Sequence, residues 1–417
     1  MHATTSSPFD AALGGWAERL RKRLDVPLLV RWKGGSGLRL GQFDTPRVVV
    51  DVLDASGEAA LLSPSLDRLG EAYVEGHLDV SGSAHDIIDL AHRLAAAGDD
   101  GDEPGWMGRV VRRIVDAGQH TKTQDRDAIH YHYDVSNDFY AQWLDPAMVY
   151  SCAYFETGNE TLAEAQQKKI DHIMTKLRIE PGQTLLDIGC GWGALVLRAA
   201  QKFGARCVGI TLSQNQFDLA RERVRAAGLQ DRVEIRLQDY RDVKETFDRI
   251  SSVGMCEHVG LKNLEPYFRI IHDRLAPGGW ALNHGITSTD PHNGETSHGG
   301  GRFIDRYVFP RGELPHIATV LKALQEGGLE PVDAEGLRRH YARTLQCWSE
   351  NFEAKGEQIK GLVDERRRRI WRMYLVGSQW GFEHDELSLF QVLCHRSGQA
   401  DRGLPWSRRW MYEPAAR

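Results

Sequence analysis

Apolar residues recur along this chain with two periods, and the switches between them mark out its elements. Leu185, Leu186 and Ile188 form a short apolar run of the kind buried on both faces of a parallel sheet. The chain then passes Gly189, Gly191 and Gly193 into 194–200, a run of good helix formers. The same rhythm repeats downstream: Cys207–Thr211, Val233–Leu237, Arg249–Met255 and Trp280–His284 read as strands, and 214–227 and 264–275 as helices. Upstream, Leu162, Ala165, Ile170, Ile173, Met174 and Leu177 form a helical stripe over 161–177. The alternation predicts a doubly wound α/β sheet whose ligand lies outside the carboxyl ends of the strands. After the fifth strand, 287–301 reads as loop and the rest, including Arg366–Arg369, as helical material.

The first hundred or so residues carry weaker and mixed patterns. Residues 16–24, 65–76 (opened by an N-cap Ser65) and 84–97 read as helices, 38–42 and 47–53 as strands, and 76–82 as a turn. Gly98–Gly105 reads as a linker, and the basic segment 106–115 either as a membrane-surface helix or as a helix packed on its own domain. The expected division is a small N-terminal α+β domain over 1–105, a linker with a basic helix over 106–128, and a catalytic domain over 129–417. A length of 417 residues favours two domains, and 41% hydrophobic with 26% charged residues is a globular composition. No apolar run is long enough to span a bilayer, and residues 1–8 lack signal-peptide features. Six scattered cysteines without a C-x-x-C pair suit a reducing compartment and suggest no metal site, so a cytoplasmic protein is expected. At a net charge of −6, bulk electrostatics would not draw the chain to nucleic acid or anionic lipid.

Glycines at alternate positions let the backbone approach a ligand where a Cβ would clash, and the helix N-terminus behind them offers free N–H groups. The spacing is G-x-G-x-G after Asp187, unlike the dinucleotide pattern G-x-G-x-x-G, and Gly209–Thr211 stands where a nicotinamide enzyme would place its acidic ribose ligand. Preceded by Leu185-Leu-Asp, the turn resembles motif I of class I S-adenosylmethionine-dependent methyltransferases.

Residues 132–140, 150–155, 186–193, 209–216, 253–260, 306–310 and 341–348 narrow the resemblance further. Together, over roughly 128–395, they resemble the cyclopropane-fatty-acyl-phospholipid synthase family, which includes mycolic acid cyclopropane synthases and fatty-acid methyltransferases. The resemblance implies a class I methyltransferase fold with helical and loop insertions forming a lipid pocket. The N-terminal unit is similar to the extra domain of members acting on phospholipids.

For S-adenosylmethionine, the resemblance points to Tyr133, Ser151, Asp187, Gly189, Gly191, Gly193, Thr211, Ser213, Gln216, Asp239 and Tyr240, with Asp187 bracing the loop. For proton removal after methyl transfer to an alkene, it implies a bound bicarbonate held by Cys152, Glu257, His284, Tyr341 and the backbone N–H of Ile286. An oxygen base suits a site where an amine or thiolate would risk alkylation, although a carboxylate beside an anion calls for a shared or retained proton on Glu257. Adjacent Glu257 and His258 point in different directions on a helix, and only Glu257 matches; His258 is expected to be structural. Several family members carry a cysteine in the C-terminal helix where Ser378 stands here, a change that leaves the bicarbonate scheme untouched.

The implied partners are unsaturated phospholipid in a bilayer, contacted peripherally, and a second copy of the chain. Phe303, Tyr307, Phe309, Trp348, Phe352, Trp380 and Phe390 could line an acyl channel or serve as core, and Arg366–Arg369 could dock headgroups or form a solvated face. Plain methyl transfer, a small-molecule acceptor, or binding without catalysis remain as alternatives.

Overall fold

The computed structural model describes residues 17–18, 27–32, 37–98, 135–291, 301–308, 313–398 and 404–412. Expectations for 19–24, for 99–134 with its basic segment and Tyr133, and for Phe309 lie outside them. The described residues fall into two compact units, one from 1–118, 295–310 and 363–380, the other from 119–294, 311–362 and 381–417.

The first unit holds a four-stranded sheet in the order β2-β1-β3-β4, from β1 (Leu28–Trp32), β2 (Gly37–Leu40), β3 (Val48–Val52) and β4 (Leu78–Gly82). Leu28, Val30, Val48, Val50 and Val52 share one buried cluster, the period-two signature of a half-buried sheet. Three elements were not expected from the sequence, β1 being the first. The helix Ala55–Leu62 is capped by Asp54, whose carboxylate accepts the N–H groups of Ser56 and Gly57. The segment read as a turn at 76–82 contains β4, which gains its hydrogen bonds from β3 (Val50 opposite Val80) rather than from its own propensity. A linear division of the sequence does not anticipate the two later segments that return to this unit.

The arginine run lies in one of those segments, and the side chains of Arg366, Arg368 and Arg369 have partners within the unit. Arg366 pairs with Glu75 at 2.9 Å and Arg368 with Glu365 at 2.6 Å. Arg369 donates to the carbonyls of Tyr73 (2.8 Å) and Leu78 (3.0 Å). Trp380 stacks on His92, and Phe303 packs on Tyr307.

The second unit is built on a seven-stranded sheet in the order β10-β11-β9-β8-β5-β6-β7. Its strands are β5 (Thr184–Ile188), β6 (Arg206–Thr211), β7 (Val233–Leu237), β8 (Phe247–Val253), β9 (Leu275–Ser288), β10 (Leu329–Gly336) and β11 (Leu387–Arg396). Strands β7-β6-β5-β8-β9 are parallel, as the sequence alternation predicts, whereas β11 is antiparallel to both β9 and β10. The helical ending expected from the sequence is therefore corrected to helices plus two strands. Along β5, Leu185 belongs to one buried layer with helices Leu162–Lys176 and Ala194–Phe203, while Leu186 and Ile188 belong to the other with helix Leu264–Arg274. Successive connections from β5 run one way to β6 and β7, then reverse to β8, so the crevice at the carboxyl ends of β5 and β8 is the topological switch point. No helix among the described residues is long and apolar enough to cross a membrane.

Candidate active site

A cleft opens at that switch point, and the glycine turn forms its floor. Gly189, Gly191 and Gly193 have φ of 78°, 53° and 83°, in the left-handed region that favours glycine. The N–H groups of Gly189 and Cys190 both donate to the carbonyl of Ile210 at the end of β6, which ties the turn down. A Cβ on Gly189 would stand 2.7 Å from Met255 Sδ, so that glycine makes room for protein. A Cβ on Gly191 would meet nothing within 4 Å; it would project into open space and occupy the cradle itself.

Ser151, Asp187, Gly189, Gly191, Thr211, Gln216 and Tyr240 all line this cleft. Four further residues expected to hold the cofactor stand differently. Gly193 is the N-cap of the helix behind the turn, and Ser213 is the N-cap of helix Gln214–Ala226, accepting the N–H of Gln216. The Asp239 carboxylate is held by Arg241 Nε at 2.8 Å and Nη2 at 2.7 Å, and Tyr133 lies outside the described residues. Asp187 accepts from Ser251 Oγ at 2.7 Å, and burial pushes its carboxyl up to about 6, consistent with a bracing role. His258, expected to be structural, lines the cleft as well.

The five residues implied for proton removal come from four separate segments; none of them lines the cleft, but Ser151, next to Cys152, and Gly254 and Met255, just before Glu257, do. β8 ends at Val253, opposite His284, while β9 continues to Ser288. The short helix Cys256–Val259 follows β8, and there the Glu257 carboxylate accepts the backbone N–H of Ile286. Ile286 lies opposite Leu389 of β11, the Leu389 carbonyl accepts the N–H of Leu337, and the Leu337 carbonyl accepts the N–H of Tyr341. Cys152 Sγ lies 3.2 Å from the Ala153 carbonyl and 3.9 Å from that of Leu337. Burial dominates the electrostatics: it pushes the Glu257 carboxyl up to about 7, the Cys152 thiol up, and the His284 imidazole well down. His284 Nε2 is buried without a hydrogen-bond partner.

Sequence reasoning missed Lys169. Its side chain is buried, lines the cleft and donates to Ser151 Oγ at 2.7 Å; burial lowers its ammonium to about 8 against the charges of Cys152, Asp145 and Asp187. The signal was present: Lys169 and Lys176 fall on the apolar stripe of helix Leu162–Lys176, where a solvated lysine does not belong.

Residues 120–392 match the family described as mycolic acid cyclopropane synthetase, nearly two thirds of the chain. The chain belongs to this family. Residues 15–97 match a domain of unknown function. Relatives include a probable fatty acid methyltransferase of Pseudomonas putida, 43% identical over 93% of this chain and 97% of its own length. The cyclopropane-fatty-acyl-phospholipid synthase of Escherichia coli K12 is 39% identical over 64% of this chain and 66% of its own. Among solved structures, mycolic acid cyclopropane synthase CmaA1 complexed with SAH and CTAB aligns with a TM-score of 0.62 at 35% identity, covering 65% of this chain and 98% of that one. This member of the family is thus an S-adenosylmethionine-dependent methyltransferase of the class I fold. The donor's sulfonium supplies an activated methyl group when bound. The open space at Gly191 and the polar lining from Thr211, Gln216 and Tyr240 fit it.

Proposed function

We propose that this enzyme adds a one-carbon unit from S-adenosylmethionine across cis double bonds of unsaturated phospholipid acyl chains and closes a cyclopropane ring. The observation that carries the reading is the buried polar set beside the donor cleft. Glu257, His284, Cys152 and Tyr341 come from separate segments, and they include an unpartnered imidazole nitrogen. That donor set suits a small oxyanion such as bicarbonate, which would supply a weakly nucleophilic base. With its carboxyl pushed up to about 7, Glu257 carries a proton for much of the time at neutral pH and so does not repel such an anion. The alkene is a poor nucleophile, so the walls must exclude water while holding it against the methyl group. The match to a relative named for fatty acids and another named for fatty-acyl phospholipid supports a lipid acceptor. The protein would meet that lipid as a cytoplasmic enzyme touching the bilayer peripherally, as a homodimer.

A second reading, methyl transfer without ring closure, is favoured by the fatty acid methyltransferase name of the Pseudomonas relative. Mass spectrometry and proton NMR of unsaturated phospholipid vesicles after incubation with enzyme and S-adenosylmethionine separate the two. A gain of one CH₂ with loss of the alkene protons supports cyclopropanation. The same gain with an alkene retained supports the branched product, and turnover only with a soluble acceptor would overturn the lipid assignment.

A further inference from the structure

Behind His284 stands a chain of buried polar groups that the methyl-transfer scheme does not use. Lys176, seven residues after Lys169 on the same helical stripe, has a side chain with no solvent exposure. Its ammonium donates to Glu335 Oε2, lies 3.6 Å from Asp333 Oδ2, and donates to Gln391 Oε1 at 3.1 Å. Both carboxylates are held in turn, Glu335 by His172 Nε2 at 2.8 Å and Asp333 by Arg408 Nε at 2.7 Å. Gln391 is itself fully buried in β11, directly opposite His284 of β9, and its Nε2 lies 3.2 Å from His284 Nδ1.

We infer that Lys176 and Gln391 are positioning residues that fix the tautomer of His284, placing its proton on Nε2 so that this nitrogen stands as a ready hydrogen-bond donor toward an oxygen ligand. An ammonium has donors and no acceptor, so the Gln391 amide must turn its oxygen to Lys176 and its NH₂ to His284. An NH₂ group facing Nδ1 requires a lone pair there, which leaves the proton on Nε2. The opposite tautomer would set Nδ1–H against NH₂; flipping the amide to relieve that would set NH₂ against the Lys176 ammonium. Either change leaves two donors facing each other in a buried site, where an unmet donor is costly. A doubly protonated imidazole meets the same obstacle, and burial with the nearby charges of Lys169 and Lys176 opposes it further. The one ring nitrogen left with its proton and without a partner, Nε2, is thus the donor that an oxyanion would accept from. The inference rests on the proposed anion site for its purpose, but the tautomer itself does not.

The test is long-range ¹H–¹⁵N NMR of the full-length protein labelled with [¹⁵N]histidine, the His284 signals being assigned by their loss in His284→Asn. The wild type is expected to show a neutral ring protonated on Nε2. Gln391→Glu keeps the shape and the Lys176 contact but puts a carboxylate oxygen against Nδ1, so the proton should move to Nδ1. Turnover should then fall about tenfold while S-adenosylmethionine affinity, measured by calorimetry, stays within twofold. A wild-type ring protonated on Nδ1 overturns the inference even if the variant does not fold. So does a His284 spectrum unmoved by Gln391→Glu, or a reversed tautomer with unchanged turnover. Titration of bicarbonate into carbonate-free wild-type protein is the separate check on the anion: an unmoved Nε2–H resonance would sink that reading and leave the tautomer assignment standing.

Discussion

The two halves of the large sheet solve different problems with different materials. On the β5-β6-β7 side, recognition is built from backbone: three left-handed glycines, free N–H groups at a helix start, and small polar side chains at strand ends. On the β9-β11-β10 side it is built from ionisable side chains placed out of water, among them Glu257, His284, Lys176 and Asp333. Backbone recognition carries no net charge, and of the ionisable groups in this cleft, Asp187 and Lys169 are held by Ser251 and Ser151. Buried charge is costly unless every group is partnered, so that side is held by a network in which each partner constrains the next. The first arrangement suits a donor that must bind and leave at every turnover. The second suits a chemical step that needs fixed proton positions.

The comparison breaks most visibly at Gly191. A valine there must adopt φ near 53°, and its Cβ, with no protein atom within 4 Å, would carry the side chain into the donor cradle. Gly191→Val should therefore weaken S-adenosylmethionine binding by at least about 100-fold, or about 2.7 kcal/mol, while the fold survives. Calorimetry showing wild-type affinity in a folded variant would refute the assignment of the loop.

Glu257→Gln probes the other half and should separate chemistry from binding. Turnover should fall about 100-fold with donor affinity near wild type. Stability should shift in the opposite direction with pH. Burial pushes the folded carboxyl up to about 7, from an ordinary 4.5. Below 4.5 both states hold the proton; between the two values only the unfolded state ionises, so wild-type stability drops as pH rises and levels off above 7. The variant has no such loss. Urea unfolding at pH 5 and pH 8 should show its advantage over wild type growing with pH, by up to about 3 kcal/mol. A pH-independent difference would mean the carboxyl is not held out of water.

Gly285 sharpens the contrast, because it is a glycine on the ionisable side. Its Cβ would stand 2.1 Å from Cys256 Sγ and 3.3 Å from Glu257 Oε2, so here glycine makes room for protein rather than ligand. Gly285→Ala should cost about 2 kcal/mol of stability through overpacking and lower turnover by displacing Glu257. Donor affinity should be spared, the reverse of the Gly191 outcome.

The same difference decides what was legible in the sequence. Parallel strands buried on both faces announce themselves as apolar runs, so β5 to β9 stand out. β10 carries Glu330, Pro331, Asp333 and Glu335, and its irregular pairing near Pro331 fits an edge strand; nothing local marks it as one. β11 hides Gln391 and His395 among its apolar residues, and its role appears only once β9 and β10 lie on either side of it. Within the site, the glycines and Cys152, Glu257 and His284 came through family-like motifs. Lys176 and Gln391 lie 215 residues apart and meet only through the tertiary fold, so no spacing rule joins them. The arginine run shows the opposite hazard: in a charge cluster that looks like a docking patch, three of the four side chains have partners inside the first unit.

Ser213 offers the smallest and most discriminating test. Motif resemblance makes it a cofactor contact, yet its Oγ accepts the N–H of Gln216 at 3.4 Å as an N-cap, and Leu212 rather than Ser213 lines the cleft. Its own N–H donates to Thr211 Oγ1 at 3.2 Å, and that hydroxyl donates to Gln216 Oε1 at 2.8 Å, so cap and cleft share one hydrogen-bonded ring. If the hydroxyl serves only the cap, Ser213→Ala should cost about 1 kcal/mol of stability and reduce donor affinity no more than about threefold, through loosened Thr211 and Gln216. Ser213→Asp should restore the stability, because a carboxylate caps as well as a hydroxyl and the helix dipole favours it. If the hydroxyl touches the donor, affinity should fall in both variants whatever happens to stability. The two quantities move together only when the residue acts through the helix, so thermal unfolding and calorimetry on the same pair of proteins decide which half of the comparison Ser213 belongs to.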